Sequence, residues 1–138
     1  MKLGFCLLLG IATLGCLAGC GSQVGTVSGQ VTVDGQPLTK GVISFVPEKN
    51  PNSSTTVEIV NGNYTAQVVA GKSVVQISAP IVTGTFPEHD GPGAALLERT
   101  EESLPAKYHS ASELSFEVKP GSNTQSWSLE ALKKLRYR

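Results

Sequence analysis

Cysteine is scarce in this chain and confined to its beginning. The three cysteines are Cys6, Cys16 and Cys20, so no thiol follows residue 20. A disulfide within the remaining chain is therefore excluded, and so is a catalytic thiol there. A domain built from these residues depends on the burial of apolar side chains for its stability.

Excess charge, aromatic residues and catalytic motifs are lacking as well. The 11 basic and 11 acidic residues balance, and loss of Lys2 with an N-terminal signal would leave 10 basic residues. This balance excludes the strong positive field of a nucleic-acid-binding protein. Aromatic residues make up 6% of the chain, few for the stacking platforms of a sugar site. No HExxH or GxSxG motif and no cofactor motif is present, so we expect no enzyme and no cofactor.

Long apolar runs are absent except at the N-terminus. Residues 3–14 are apolar or small and follow a single charge at Lys2. A transmembrane helix needs about 20 apolar residues, so this shorter run with its glycines favours an export signal.

Leu17, Ala18, Gly19 and Cys20 close this run and resemble a lipobox, the cleavage site of bacterial lipoproteins. In a lipobox the small residues admit the peptidase and the cysteine thiol receives the lipid. The resemblance implies a signal peptide over residues 1–19, lipidation of Cys20 (palmitate included) and anchoring in a membrane through the N-terminal lipid. The domain would then face the periplasm or the exterior. The alternatives are an ordinary signal peptide cut nearby and an uncleaved anchor.

Alternation of apolar and polar residues predicts that the rest of the chain is all-β. Residues 20–26 are small and polar and are predicted to be a tether, followed by a β-sandwich domain over residues 27–130. Val27, Val31 and Val33 share one face of the first strand. Ile43 and Phe45 resume the alternation, and we expect their run to pair with the first across DGQPLTKG.

Five further strands are predicted between turn signals. They are residues 55–60, residues 64–69 after the turn at 61–63, a run containing Val75, Ile77 and Ala79, a run containing Leu114, Phe116 and Val118, and a last one with Trp127 and Leu129. Residues 70–72 and 120–123 are predicted turns, and residues 48–54 a loop. Seven short strands of this kind indicate an antiparallel β-sandwich, with Phe45, Ile77 and Phe116 in its core.

Residues 81–112 interrupt the regular spacing of strands. They contain a stretch rich in glycine and proline, followed by residues 94–103, which are able to form a short helix. Connections longer than about 12 to 15 residues are usually functional or disordered, so we expect this insertion to determine specificity. Leu96, Leu97 and Leu104 are available to dock on the sandwich as a short lid.

The end of the chain is basic. Residues 131–138 contain Lys133, Lys134, Arg136 and Arg138, and Leu132 lies at helical spacing from Leu135. A segment this short is expected to fray.

Three groups of residues resemble ligand sites. Residues 71–73 read Gly-Lys-Ser, like the end of a phosphate-binding loop, but Ala66 stands at the required first glycine, so a hairpin turn is the better interpretation. His89 lies between Glu88 and Asp90, yet only His109 remains as a second histidine, so exposed loop residues are favoured over a metal site.

Tyr64 and Tyr108 are candidate stacking platforms, although the spacing of Tyr64 from Ala66 favours the edge of the core. The region also contains an acidic cluster, for which a solvated surface is the default interpretation. Its members are Glu88, Asp90, Glu98, Glu101 and Glu102, with Arg99 among them.

Three blocks carry a resemblance to a family: VSGQVTVDGQPLTKGVISFVP, NGNYTAQVVAGKSVVQI and LPAKYHSASELSFEVKPGSNTQSWSL. Together they resemble the small carboxypeptidase-regulatory-like, or transthyretin-like, lipoproteins of planctomycete bacteria. The resemblance implies a seven-stranded prealbumin-like sandwich on the cell envelope, without catalytic residues to carry across. Ser73 departs from it, because an aromatic residue is more usual there. Hydrolases of the same fold use histidines and arginines, and neither type occurs in the strands before residue 89.

These observations favour a lipid-anchored, non-enzymatic envelope module that scaffolds or binds an envelope protein or glycan. A carbohydrate-binding domain is the alternative, and a hydrolase of unknown substrate comes third. Nucleic acid is not an expected partner.

Cys20→Ser tests the anchor. Because the thiol is the atom that receives the lipid, the variant is expected to lose lipidation and to keep an unprocessed N-terminus. Mass spectrometry of the mature N-terminus measures both properties. A variant that still carried lipid with an unchanged start would contradict the assignment.

Overall fold

The protein is an all-β domain in the computed structural model, which describes residues 23–133. The strands are β1 (Val24–Val33), β2 (Gln36–Pro37), β3 (Lys40–Pro47), β4 (Thr55–Val60), β5 (Asn63–Val69), β6 (Gly71–Ser78), β7 (Pro80–Pro87), β8 (Leu96–Glu102), β9 (Leu114–Val118), β10 (Gly121–Thr124) and β11 (Trp127–Leu129). Single turns of 3-10 helix cover Pro51–Ser53 and Ala106–Tyr108.

Alternating burial along the strands builds one core. Strands β3, β5 and β6 bury every second residue, as the period of two in the sequence predicts. The buried apolar residues are Val27, Val31, Ile43, Phe45, Ile59, Tyr64, Ala66, Val68, Val75, Ile77, Ala79, Leu104, Tyr108, Val118, Trp127 and Leu129. Phe45 and Ile77 are confirmed as core residues, whereas Val33 and Phe116 are only partly buried against the core.

Nine strands form one curled sheet whose two halves face each other. Its order is β10-β1-β5-β4-β3-β6-β9, and β2 and β11 also pair with β1. Strands β4 and β5 are paired only at Val60 and Asn63, so the sheet folds over at this hairpin. The predicted β-sandwich is confirmed, with more and shorter strands than the seven expected. Strands β10 and β11 run parallel to β1, an exception to the antiparallel pattern.

Two Asx-Gly turns have the geometry their sequences predict. Asp34 and Gly35 have φ of 49° and 81°, and Asn61 and Gly62 have φ of 50° and 79°. Two successive residues with positive φ are typical of the type I′ turn, whose twist suits a hairpin. The turn at 61–63 joins β4 to β5 as expected, whereas Asp34-Gly35 leads only into the two-residue strand β2.

Strand β1 closes the curled sheet because a second segment approaches it closely at Gly29. Its pairing partner changes there from β10 to β11. A Cβ atom on Gly29 would lie 1.8 Å from the carbonyl oxygen of Gln125, so no larger residue fits. Tyr64, which faces Gly29 across the β1–β5 ladder, donates its hydroxyl hydrogen to the same oxygen at 2.5 Å.

Two predicted pairings are wrong. Strand β1 pairs with β2 and β5 and not with β3, because the turn at Asp34-Gly35 brings Gln36–Pro37 back onto its end. The turn at 70–72 is not a hairpin either. Strand β5 pairs with β1 and β4, and β6 pairs with β3 and β9, so the chain crosses from one half of the sandwich to the other at Ala70.

Three predicted elements also differ. Residues 94–103 do not form a helix, because pairing with β7 satisfies the backbone of β8 and overrides a weak helical preference. Residues 120–123 are not simply a turn, since β10 begins at Gly121 and pairs with β1. Strand β1 begins at Val24, inside the predicted tether.

The predicted insertion at 81–112 has two unlike parts. Strands β7 and β8 form an exposed hairpin, so Leu96 and Leu97 are exposed and do not act as a lid. The following residues return to the sandwich, where Leu104 and Tyr108 are buried in the core. Only this second part belongs to the folded core.

Ser73 occupies a fully buried position in β6, opposite Phe116 and Pro47 in the neighbouring strands. Its hydroxyl oxygen has no hydrogen-bond partner among the described residues. An unsatisfied buried hydroxyl costs about 1 to 3 kcal/mol, so this position is a local weakness of the core.

Phe45→Ala and Phe116→Ala are expected to differ in their effect on stability. Phe45 is fully buried, and its truncation should lower the free energy of unfolding by about 3 to 5 kcal/mol. Phe116 remains partly exposed and should cost roughly half as much. Urea denaturation of both variants measures the difference, and equal losses would contradict the burial described here.

Candidate functional site

The hairpin of β7 and β8 stands apart from the sandwich. All eight residues of β7 and six of the seven of β8 are exposed. The two strands pair with each other and with no other described strand. A two-stranded hairpin is marginally stable in water unless a further strand or a packed face supports it. Within the described chain, the hairpin is therefore the surface that most needs a further strand or a packed face for its stability.

Both faces of the hairpin carry exposed apolar side chains. Residues that oppose each other directly share a face, so Phe86 and Leu97 lie on one side and Leu96 on the other. A register shift between Val82 and Gly84 places Ile81 on the face of Phe86. Leu96 is 69% exposed and Val82, on the face of Leu96, is 56% exposed. Neither face is covered by the sandwich.

The hairpin is also acidic. Its carboxylates are Glu88, Asp90, Glu98, Glu101 and Glu102. Its single basic side chain, Arg99, lies over the ring of Phe86 with 5.9 Å between the guanidinium carbon and the ring centroid. The ion pairs among residues 23–133 are Lys72 with Glu48 and Lys107 with Glu130, so no hairpin carboxylate is in one. The surface joins apolar side chains to uncompensated negative charge.

Glu102 joins the hairpin to the sandwich. Its Oε1 accepts hydrogen bonds from the backbone nitrogens of Ala79, Ser103 and Leu104 at 2.9, 3.0 and 3.1 Å. Its Oε2 accepts one from the hydroxyl of Ser78. One carboxylate therefore holds together the end of β6 and the segment after β8. We call these five residues the root.

The charge state of Glu102 matters for the root. Burial by itself raises the pKa of Glu102, but hydrogen bonds from Ser78, Ala79 and Leu104 and the charge of His109 outweigh it, so the pKa lies below its ordinary value. The sequence placed Glu102 in a solvated acidic cluster. That interpretation is wrong for this member, which is half-buried and fully engaged.

Three further hydrogen-bond contacts reinforce the root. The hydroxyl of Ser103 donates to the carbonyl oxygen of Ala79 at 2.6 Å, and the Nε2 of His109 lies 3.1 Å from the carbonyl oxygen of Leu104. The backbone nitrogen of Leu132 donates to the carbonyl oxygen of Ser103 at 3.0 Å. The hairpin is exposed along its length but firmly attached at its base.

A cleft lies on each side of the hairpin near the root. The first, of about 420 Å³, separates the Val82 face from the outer surface of β3 and β4, where Val42 and Glu58 line it. The second, of about 410 Å³, lies between Ile81 and Glu101 on one side and residues 131–133 on the other. Each cleft is large enough for side chains of a partner segment.

The candidate metal and phosphate ligands are not assembled into sites. Glu88, His89 and Asp90 lie exposed in the loop that joins β7 to β8, and His109 lies half-buried beside the root. No three His, Cys, Asp or Glu side chains within residues 23–133 are placed to hold a metal ion. Residues 71–73 lie in β6, where no glycine-rich loop is available to bind phosphate.

The two candidate stacking tyrosines are core residues. Tyr64 is 4% exposed and Tyr108 8% exposed, so neither offers a ring face to a sugar. Burial raises the pKa of Tyr64, and the neighbouring Trp127 partly opposes the shift. The hydroxyl of Tyr108 accepts a hydrogen bond from the backbone nitrogen of Glu130 at 3.3 Å. Both tyrosines fasten the last strands to the sandwich.

The lipobox residues Leu17, Ala18 and Gly19 and the lipidation residue Cys20 lie outside the described residues. The basic tail is described only as far as Lys133, and residues 131–133 form no regular element. The anchor and the predicted fraying of the tail therefore stay predictions.

Glu102→Gln should destabilise the protein in a pH-dependent way. Because the folded pKa lies below 4.5, the charged form contributes stability above that pH and loses it as the pH falls through the folded value. We expect a loss on the order of 1 kcal/mol at pH 7, after a discount for solvent screening, that shrinks in acid. Urea denaturation at several pH values measures it.

Glu101→Gln is the matched control, because Glu101 is exposed and its side chain makes no hydrogen bond within residues 23–133. If both variants unfold alike at pH 7, the carboxylate of Glu102 does not hold the root.

No helix in the described part of the chain is long and apolar enough to cross a membrane. Of the properties that the family resemblance implied, the structure confirms the all-β sandwich fold. In comparisons with protein-family models, curated proteins and solved structures, nothing matches this chain.

Proposed function

We propose that this protein is a lipid-anchored, non-enzymatic module of the cell envelope that binds or scaffolds another envelope component through the β7–β8 hairpin. The observation that carries the proposal is the exposure of apolar side chains on both faces of an acidic hairpin fixed at its root. Contiguous exposed apolar surface with a polar rim marks interaction sites on other soluble domains. The hairpin combines these features.

The position of the hairpin supports the proposal. Val24, the first residue of β1, pairs with Val69, so β6 starts at this same end of the sandwich. Strand β6 then runs to the opposite end, where β7 begins. The ten residues of β1 span about 30 Å, so the hairpin leaves the sandwich roughly that distance from residue 24. A lipid on Cys20 would hold the other end at the membrane and leave the hairpin free to reach a partner.

The chemistry of the site favours binding over catalysis. Glu102 is the described carboxylate whose pKa is shifted, and its oxygens are occupied by backbone nitrogens and a serine hydroxyl. A general acid or base needs a free atom within reach of a substrate. The glycan-binding alternative loses its two proposed platforms, because Tyr64 and Tyr108 are buried.

Photocrosslinking in intact cells tests the proposal. A benzoylphenylalanine at position 96 is expected to give a specific crosslinked product, because Leu96 is the most exposed apolar residue of the hairpin. The matched control is the same residue at position 60, since Val60 is also an exposed apolar residue, at 56%, but lies in the sandwich. The product should disappear when Val82, which lies on the face of Leu96, is changed to serine.

A shortened hairpin separates binding from folding. Val82 already faces Thr100, so a two-residue Asn-Gly turn can replace residues 83–99 and leave the root intact. This variant should keep its melting temperature within a few degrees, because the removed residues are exposed. Crosslinking at position 81 should be lost. A folded variant that still captures the same partner would place the binding surface on the sandwich.

A further inference from the structure

The phase of the β7–β8 ladder decides which backbone groups each strand turns outward. Two backbone hydrogen bonds set this phase, one at each end of the hairpin. The nitrogen of Ser103 donates to the carbonyl oxygen of Ala79 at 3.3 Å, and the nitrogen of Glu88 donates to the carbonyl oxygen of Ala95 at 2.8 Å. Bonded and non-bonded residues alternate along an antiparallel pair. Both ends therefore assign the bonds with β7 to the odd-numbered residues of β8.

The even-numbered residues of β8 turn their backbone groups away from β7. The N–H and C=O groups of Leu96, Glu98 and Thr100 face outward, and all three residues are exposed. Among the described strands, β8 pairs only with β7. Within residues 23–133, the edge of β8 therefore offers a row of backbone donors and acceptors to a further strand.

The outer edge of β7 is obstructed at the corresponding positions. Pro80 lies opposite Glu102 and Pro87 lies opposite Leu96, both in non-bonded pairs of the ladder. The N–H groups that these prolines lack are therefore groups that would have pointed outward. The register of β7 is also irregular between Val82 and Gly84. Proline and irregular register protect a sheet edge from pairing, so a further strand is favoured at β8 and opposed at β7.

The side chains of β8 define the chemistry of a strand that fits this edge. Glu98 lies on the Val82 face and lines the first cleft, whose opposite wall contains Glu58 and Lys40. No ion pair within residues 23–133 includes Glu98. Two carboxylates against one ammonium group leave net negative charge there. A basic side chain opposite Glu98 complements this charge, and apolar side chains complement Leu96 and Leu97.

We propose that an extended segment of a partner protein adds to the edge of β8 as a third, antiparallel strand, with a basic side chain opposite Glu98 and apolar side chains opposite Leu96 and Leu97. In strand addition, backbone hydrogen bonds supply affinity and the opposed side chains supply specificity. A third strand is also what a two-stranded hairpin needs for stability in water. The inference rests on the proposed function and specifies how the hairpin binds its partner.

A second copy of the chain fits this edge less well. Antiparallel pairing of two β8 strands about their central residue places Arg99 opposite Arg99, and pairing about Glu98 places two carboxylates opposite each other. Each hairpin also carries five carboxylates against one arginine. The charge of a basic segment is complementary to the hairpin, and that of a second hairpin is not.

Hydrogen exchange of the full chain with a synthetic peptide tests the proposal. The probe is acetyl-Lys-Thr-Thr-Lys-Val-Val-amide, whose second lysine lies opposite Glu98 when its last valine lies opposite Leu96. At saturating peptide, the amides of Glu98 and Thr100 should exchange about tenfold more slowly or less. Site-resolved exchange by NMR measures this, with the amides of Ala66 and Ile77 in the core strands as references. The acidic counterpart, with glutamate for both lysines, should protect neither amide.

Methylated peptides separate strand pairing from charge attraction. In the proposed register, the second and fourth residues of the probe turn their N–H groups towards β8, and the third and fifth turn theirs away. Methylation of the second and fourth backbone nitrogens should abolish binding, although it leaves every charge in place. Methylation of the third and fifth should leave binding unchanged. Fluorescence anisotropy of labelled peptides measures both affinities.

Variants of β8 provide the reciprocal test. Thr100→Pro removes an outward N–H and no β7–β8 hydrogen bond, so it should weaken binding of the probe about tenfold or more. Thr100→Val keeps the N–H and is the control. Glu98→Lys should reverse the preference between the basic and acidic peptides. Glu117→Lys makes the same charge change at an exposed position of β9 and should leave the preference unchanged.

Three results would overturn the proposal. The first is unprotected amides of Glu98 and Thr100 at millimolar peptide. The second is equal affinity of the two methylated peptides. The third is protection of these amides without peptide, because the edge would then be covered by the chain itself or, where protection rises with protein concentration, by a second copy. If any of these occurred while position 96 still gave a specific crosslink in cells, strand addition would be rejected and the proposed function would stand.

Discussion

The close approach of the Gln125 carbonyl to Gly29 is the contact on which the closure of the sheet depends. Strand β1 uses one edge for β5 and shares the other between β10 and β11, and the change of partner falls at Gly29. A side chain there would push the last two strands away. Trp127 and Leu129 would then leave the core, and Tyr64 would lose the acceptor of its hydroxyl.

Closure at β1 has a consequence for the far end of the molecule. The chain leaves β11 at Leu129 and is held there by Tyr108, while Leu132 bonds to Ser103 at the root. Glu102 accepts four hydrogen bonds at the root, two from Ser78 and Ala79 at the end of β6 and two from Ser103 and Leu104 after β8. The core thus fixes the base of the hairpin from two directions, and the rest of the hairpin is exposed to solvent. This arrangement suits recognition, because the position of a rigidly based element is set before binding.

The sequence was sufficient for the parts of the fold that local chemistry decides. Alternating valines and isoleucines identified the core faces, and Asn61-Gly62 identified its turn, because both signals act between near neighbours. Pairing partners could not be predicted, because β3 and β5 have the same alternating pattern. Tertiary contacts decide which of them pairs with β1. The helix expected over residues 94–103 failed for the same reason. Pro80 and Pro87 mark the two ends of the eight-residue strand β7, which the sequence analysis did not predict.

The role of Glu102 could not be predicted either. In the sequence it is one of five neighbouring acids, and nothing local distinguishes it from Glu101. The difference arises because β8 ends where β6 ends, so that Glu102 meets four donors from two segments that are distant in sequence. Gly29 is similar: its neighbours showed a strand, but the need for glycine comes from Gln125, about a hundred residues later.

The exposed hairpin is at risk of pairing with other chains, and its two strands are protected against such pairing to different extents. An apolar strand with an open edge tends to pair with other chains, and charges and prolines are the usual protection. Strand β7 has the prolines, and the acidic residues repel other copies of the hairpin. Within residues 23–133, strand β8 pairs only with β7, and its acidic side chains oppose pairing with another negatively charged strand.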